Sequence, residues 1–63
     1  MKNRLKELRT EHAYSQSTLA DKLSVSRQTV NALENGRCDP SLPLAFRIAH
    51  VFGLKIEDVF QEI

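Results

Sequence analysis

The sequence has few of the residues that hold very small proteins together. Its one cysteine, Cys38, cannot close an internal disulfide, and neither it nor the two histidines stand at the spacing of a known metal site. A chain of 63 residues lies near the lower limit for folding without such links. We therefore expect close helix packing to stabilise it, with help from a dimer interface, and we predict no metal ion and no cofactor.

Long apolar runs and catalytic arrangements are missing as well. Lysine and arginine interrupt residues 1–10, and no stretch approaches the roughly 20 apolar residues of a membrane span. No Ser/His/Asp or Cys/His arrangement stands out, and so short a chain can hardly enclose an active site. These absences predict a protein that is not an enzyme, with no membrane partner and no evident small-molecule ligand. The unpaired cysteine fits a reducing cytoplasm.

The net charge of +1 predicts no partner by itself, but the charges are unevenly distributed along the chain. Residues 1–37 carry seven basic and four acidic side chains, whereas residues 38–63 carry two basic and four acidic ones. A basic face on a nearly neutral protein is compatible with a nucleic-acid partner. It is equally compatible with an ordinary solvated surface, so charge alone leaves both interpretations open.

Apolar residues recur at helical spacing in five segments, and no segment has a convincing strand pattern. The first helix is predicted over about Lys2–Glu11, the fourth over about Leu42–Phe52 and the fifth over about Ile56–Gln61. Ser15 and Ser26 are suited to cap the second and third helices, because a serine hydroxyl accepts a hydrogen bond from an otherwise unpaired backbone N–H.

The connection between the second and third helices is very short. Only Ser24 and Val25 separate them, which is too little chain for parallel neighbours, so the two helices must turn sharply against each other. The sequence therefore predicts a helix-turn-helix at about residues 15–35. It would form part of one all-α domain of five short helices that spans residues 1–63.

The third helix presents a polar face that burial does not explain. At about 100° per residue, Val30 and Leu33 share the core side of this helix. The opposite side has no carboxylate, and its residues are Arg27, Gln28, Asn31, Ala32 and Asn35. Arginine can donate two hydrogen bonds to guanine, and glutamine or asparagine can pair with adenine. A solvated face would usually mix lysine with glutamate, so the composition favours base readout in the major groove.

Glu34 lies at the side of that polar face, where partial burial would require a partner. Arg9, one helical turn beyond Leu5, is the best-placed candidate, and a forked arginine–carboxylate bond could join the first helix to the third. The alternative is a solvent-exposed pair that stabilises the fold by less than about 1 kcal/mol.

Several short motifs follow one another along the chain, in the order Ser15-Gln16, Leu19 to Leu23 (LADKL), Val25 to Val30 (VSRQTV), Leu33 to Gly36 (LENG) and Pro40 to Leu42 (PSL). In this order they resemble the Cro and phage-repressor-like (Xre-type) helix-turn-helix domain. The resemblance covers residues 2–61, and together the motifs are specific although each alone would be weak. It implies a lambda-repressor-like fold in a small stand-alone transcriptional regulator.

The resemblance also implies roles for individual residues, carried over by position. The residues at base-reading positions, at the start of the third helix, are Ser26, Arg27, Gln28 and Asn31. The residues at phosphate-binding positions are Gln16, Ser17, Asn35 and Arg37, and the helix dipole supports the first of these contacts. Members of this family commonly pair an arginine of the first helix with the glutamate of LENG, which supports the Arg9–Glu34 pair.

We therefore predict sequence-specific binding of double-stranded DNA by a bacterial or phage-type transcriptional regulator. We expect a repressor in the cytoplasm, associated with the nucleoid, that binds a palindromic operator as a homodimer. Phe46, off the apolar stripe of its helix, and Ile63 are candidate dimer contacts, although a lone exposed aromatic is also common. The alternative is an antitoxin-like or adaptor protein whose main role is to bind a protein partner.

Overall fold

The computed structural model describes residues 1–61, which contain five helices and two very short strands. In chain order the elements are β1 (Lys2–Asn3), α1 (Leu5–Glu11), α2 (Gln16–Leu23), α3 (Arg27–Glu34), α4 (Leu42–Phe52), α5 (Ile56–Val59) and β2 (Phe60–Gln61). The prediction of a fold of five short helices, with α2 and α3 as the helix-turn-helix, is confirmed. The candidate dimer contact Ile63 lies outside the described residues.

The two strands are the main departure from the expected helices. β1 and β2 pair antiparallel, with Lys2 opposite Gln61 and Asn3 opposite Phe60. The backbone N–H of Arg4 also donates to the Val59 carbonyl at 2.9 Å. The first and last helices are therefore shorter than predicted, because backbone groups at their outer ends pair across the fold instead of continuing a helix. Such pairing has no local signal in the sequence.

Serine side chains cap three of the helices. The Oγ atoms of Ser15, Ser26 and Ser41 accept hydrogen bonds from backbone N–H groups in the first turns of α2, α3 and α4, at 3.0, 3.1 and 3.3 Å. The caps predicted at Ser15 and Ser26 are thus confirmed, and the serine before α4 follows the same rule. Each removes one of the unpaired donors that every helix N-terminus leaves.

The turn between α2 and α3 is sharp because one residue adopts left-handed backbone angles. Ser24 ends α2 with a φ of 58°, a conformation that costs a residue other than glycine about 1 kcal/mol. A side chain from another helix supports this end of α2: Nη1 of Arg47 in α4 donates to the Leu23 carbonyl at 2.9 Å. The chain can therefore enter α3 at the angle that the helix-turn-helix requires.

The core is apolar and receives side chains from all five helices. Its most deeply buried large residues are Leu5, Leu19, Leu23, Val30, Leu33, Ile48 and Val59. Burial of one such side chain is worth about 1.5–3 kcal/mol, so packing is the main stabilising term. The longest helix in the described part has 11 residues, and no helix there has the length and apolar character needed to cross a bilayer.

Asn3 joins the beginning of α1 to the end of α3. Its Oδ1 accepts from the Leu5 backbone N–H at 3.0 Å, and its Nδ2 donates to the Leu33 carbonyl at 2.9 Å. Its backbone lies in β1, paired with Phe60. The half-buried side chain of Asn3 thus pairs with backbone groups of two helices, while its own backbone is held in β1.

Replacement of Asn3 by alanine should lower the free energy of unfolding by about 1–3 kcal/mol, because the Leu5 N–H loses its acceptor and the Leu33 carbonyl keeps only the Gly36 N–H as a donor. Urea denaturation followed by circular dichroism measures this difference. The exposed neighbour Lys2 provides the control, since K2A should change the free energy by less than about 0.5 kcal/mol. Equal stability of N3A and K2A would show that the Asn3 side chain is not a structural link.

Candidate nucleic-acid interface

The polar face of α3 points away from the core. Val30 and Leu33 are 0% and 1% exposed and fix the inward side of the helix. Arg27, Gln28 and Asn31 on the other side are exposed to solvent. Because the apolar residues are few and lie close together on one side, most of the circumference of α3 remains available for contact with a partner.

A surface groove of about 490 Å³ brings together residues from α2, from α3 and from the loop after α3. Its lining residues are Gln16, Arg27, Gln28, Asn31, Ala32 and Arg37. The groove thus collects three of the residues at base-reading positions and two of those at phosphate-binding positions. Both of its charged side chains, Arg27 and Arg37, are basic.

The other residues predicted to contact DNA lie beside the groove. Ser17 is exposed in the first turn of α2. The Ser26 hydroxyl accepts from the Thr29 N–H and shares a 2.9 Å hydrogen bond with Thr29 Oγ1, so it is engaged in capping α3. Asn35 donates from Nδ2 to Oδ1 of Asn31 at 3.1 Å. This bond turns the amide of Asn31 so that its Oδ1 is occupied and its NH₂ group remains a donor.

Two helix N-termini contribute positive partial charge at the groove. α2 begins with Gln16 and α3 begins with Arg27 and Gln28, and all three residues line the groove. Neither helix has an acidic residue in its first turn. The unpaired N–H groups and dipole of a helix N-terminus favour anions. The groove is therefore suited to a polyanion.

Arg9 and Glu34 join α1 to α3 through a nearly buried ion pair. Nε of Arg9 donates to Oε2 of Glu34 at 2.6 Å, and Nη2 lies 3.4 Å from Oε1. The two side chains are 15% and 3% exposed. Nη1 of Arg9 also donates to the carbonyl of Tyr14 at 2.9 Å, immediately before the α2 cap. One guanidinium thus connects α1, α3 and the entry to α2.

Gln16 also contacts this ion pair. Its Nε2 donates to Oε1 of Glu34 at 3.0 Å, while the same side chain lines the groove. The sequence predicts a phosphate contact for Gln16 and gives no signal for this bond, because the partners are 18 positions apart and share no local pattern. The Asn31–Asn35 bond, in contrast, has the i, i+4 spacing that a helix brings together and could have been read from the sequence.

Outside the groove, α4 exposes two large apolar side chains. Leu42 and Phe46 are 64% and 53% exposed. A shallow hollow beside Phe46 has a mixed lining of three further apolar residues and three polar or charged ones, which are Ala49, Leu54, Ile56, His50, Lys55 and Glu57. Cys38 is an exposed thiol in the loop before α4. Among residues 1–61, no three potential metal ligands lie together.

Comparison with known proteins agrees with this architecture. A family model described as helix-turn-helix matches residues 5–59. The chain is 60% identical over 60 residues to the HTH-type transcriptional regulator MJ0272 of Methanocaldococcus jannaschii. The match covers 95% of this chain and 91% of that protein. The chain is 52% identical over 60 residues to the HTH-type transcriptional regulator YgzD of Bacillus subtilis, with the same coverage. Relatives occur in archaea and bacteria, so a bacterial or phage origin stays a prediction.

A solved structure has the same fold. The restriction-modification controller protein C.AhdI from Aeromonas hydrophila matches with a TM-score of 0.81 and 33% sequence identity. The match covers 90% of this chain and 86% of that chain. The likeness therefore extends over the five-helix arrangement and is not confined to the helix-turn-helix.

Replacement of Arg9 by methionine should lower the free energy of unfolding by roughly 3–5 kcal/mol, because the Glu34 carboxylate would stay buried without its counter-charge. The double replacement R9M/E34L should recover most of the loss, since it removes both charges. Chemical denaturation of the three proteins measures both effects.

The exposed Arg4–Glu7 pair, whose Nε–Oε2 distance is 2.9 Å, is the matched control. Arg4→Met should change stability little, because solvent screens an exposed pair. A similar small effect of Arg9→Met would mean that the buried pair does not stabilise the fold.

Proposed function

This chain belongs to the helix-turn-helix family and is a transcriptional regulator with a DNA-binding domain of the Cro and Xre type, and we propose that it reads specific sequences with α3 in the major groove. The observation that carries the proposal is the groove between the first turns of α2 and α3, where both charged side chains are basic. A major groove about 12 Å wide admits one α-helix. The exposed face of α3 is the surface that would enter it.

Base readout falls to three residues of α3. Arg27 has the fork of donors that matches O6 and N7 of guanine, and Gln28 can pair with N6 and N7 of adenine. Asn31, oriented by Asn35, presents donors toward the groove. Ala32 between them is small, which allows close approach to base edges. Ser26, whose hydroxyl caps α3, would contact bases or the adjacent backbone from the edge of the interface.

Phosphate contacts would hold α3 in register. Gln16 and Arg37 both line the groove, one from the start of α2 and one from the loop after α3. Ser17 and Asn35, both exposed, extend these two positions along the surface. Contacts of this kind position a protein on the duplex and carry no sequence information themselves.

The exposed apolar surface of α4 supports a homodimer. Leu42 and Phe46 expose more than half of their surface, and the hollow beside Phe46 could receive the same side chain from a second copy. Two copies related by a twofold axis would place their α3 helices in successive major grooves, about 34 Å apart. The operator would then be palindromic, and a dimer bound over a promoter would act as a repressor on nucleoid DNA in the cytoplasm.

Selection from randomised duplex DNA, followed by fluorescence anisotropy at several salt concentrations, tests this function. Wild type should enrich a palindromic sequence. R27A and Q28A should each lose about 1–3 kcal/mol of discrimination at one base pair of the half-site. R37A should weaken binding to all sequences alike and reduce the salt slope by about one unit.

The control variant K6A removes the same charge as R37A from the exposed surface of α1, outside the groove. Its binding and salt slope should stay close to wild type. If wild type enriches no sequence and R27A binds like wild type, sequence-specific readout by α3 is wrong. The antitoxin-like or adaptor role, with a protein partner, would then be the better hypothesis.

The dimer is tested by Phe46→Glu, which should convert a dimer into a monomer because it would place like charges against each other in an apolar interface. Analytical ultracentrifugation measures the mass, and a selection repeated with the variant should enrich a single half-site. Thr10→Glu, on the exposed surface of α1, adds the same charge elsewhere and should leave the dimer intact. A dimeric Phe46→Glu protein would contradict an interface at α4.

A further inference from the structure

The Glu34 carboxylate has donors on both of its oxygens. Oε2 accepts from Arg9 at 2.6 Å, and Oε1 accepts from Gln16 at 3.0 Å. The Glu34 side chain is 3% exposed, so it lies behind the groove and has almost no surface for a ligand. Its effect on a bound duplex must therefore pass through the residues that it contacts.

The charge of Glu34 determines which way the Gln16 amide points. An ionised carboxylate only accepts hydrogen bonds, so the amide must turn its NH₂ group toward Glu34 and cannot turn its oxygen there. The NH₂ group has two hydrogens, and the bond to Glu34 uses one of them. The second remains available as a donor in the groove, where a phosphate oxygen would need one. A hydrogen bond to an ionised acceptor is also stronger than a hydrogen bond to a neutral acceptor, so the carboxylate holds the amide more firmly.

We propose that Glu34 is a positioning residue for the DNA contact of Gln16. It holds the amide in the orientation that donates to phosphate before the duplex arrives, and this role rests on the proposed function. A free glutamine side chain loses rotamer freedom when it binds, so a side chain that is already held binds more tightly. Glu34 thus acts on DNA affinity in addition to its bond with Arg9.

The positioning role is separable from the structural role of the ion pair. The two shortest hydrogen bonds of Arg9, from Nε to Oε2 of Glu34 and from Nη1 to the Tyr14 carbonyl, do not involve the oxygen that accepts from Gln16. Gln16→Ala therefore removes the DNA contact and leaves the link between α1, α3 and the entry to α2. Conversely, R9M/E34L removes the acceptor of Gln16 without leaving a buried charge, and this pair of changes is expected to fold.

A double-mutant cycle measured by DNA affinity tests the proposal. Its four proteins are wild type, Q16A, E34Q and Q16A/E34Q, and each is measured on the selected duplex and on an unrelated duplex. In wild type, Q16A should weaken binding about fivefold on both duplexes, the factor that one ordinary hydrogen bond provides. In the E34Q background, Q16A should weaken binding less than about twofold. Arg9 only donates and keeps the single amide oxygen at position 34, so the NH₂ group of Gln16 loses the acceptor that holds it.

R9M/E34L replaces E34Q in the cycle if E34Q does not fold, as judged by circular dichroism. Arg37→Ala is the control for coupling, since it should weaken DNA binding by the same factor with and without Glu34. The positioning role would be overturned if Q16A weakened DNA binding equally in the two backgrounds, or if it had no effect on the wild-type protein. Failure of the proposed function has a different signature, in which R27A also leaves affinity and selectivity unchanged.

Nuclear magnetic resonance of the free protein gives an independent readout. The side-chain amide of Gln16, assigned by its loss in Q16A, should show two hydrogens with well-separated shifts and slowed exchange with water. These signals should move to values typical of an exposed glutamine in E34Q or R9M/E34L and should not move in R37A. Signals typical of a free amide in wild type would overturn the proposal, whatever the DNA measurements show.

Discussion

The buried ion pair between Arg9 and Glu34 is the interaction on which the arrangement of the first three helices depends. It joins α1 to α3 directly, and through the Tyr14 carbonyl it also fixes the chain where α2 begins. Burial of charge is costly unless every partner is in place. Here the carboxylate accepts from Arg9 and from Gln16, and the same Gln16 side chain lines the groove.

This network accounts for the fixed orientation of α3, although the helix is largely polar. Only Val30 and Leu33 of this helix are buried, which leaves little apolar surface to fix its orientation. Polar contacts at its ends supply the rest: Ser26 caps its beginning, while Asn3 and Arg9 bind groups near its end. Because these contacts lie at the ends and on the inner side, the outward face is free for arginine, glutamine and asparagine.

In the interface that we propose, affinity and specificity belong to different parts of the surface. The side chains of Arg27, Gln28 and Asn31 come from one rigid helix, as base recognition requires, whereas Gln16 and Arg37 come from an adjoining helix and a loop. Residues that contact phosphate need less exact placement than residues that contact base edges. The bond from Gln16 to Glu34 connects one of the proposed phosphate-binding residues to the same polar network as α3.

The local features could be predicted from the amino-acid sequence: the serine caps, the short turn between α2 and α3, and the polar face of α3. Each follows from residues at most a few positions apart, so propensity and periodicity suffice. The pairing of β1 with β2, the Asn3 link to α3 and the bond from Gln16 to Glu34 depend instead on how the helices pack. These partners are far apart in the chain, and no local pattern specifies which unpaired donors and acceptors meet once the helices have packed.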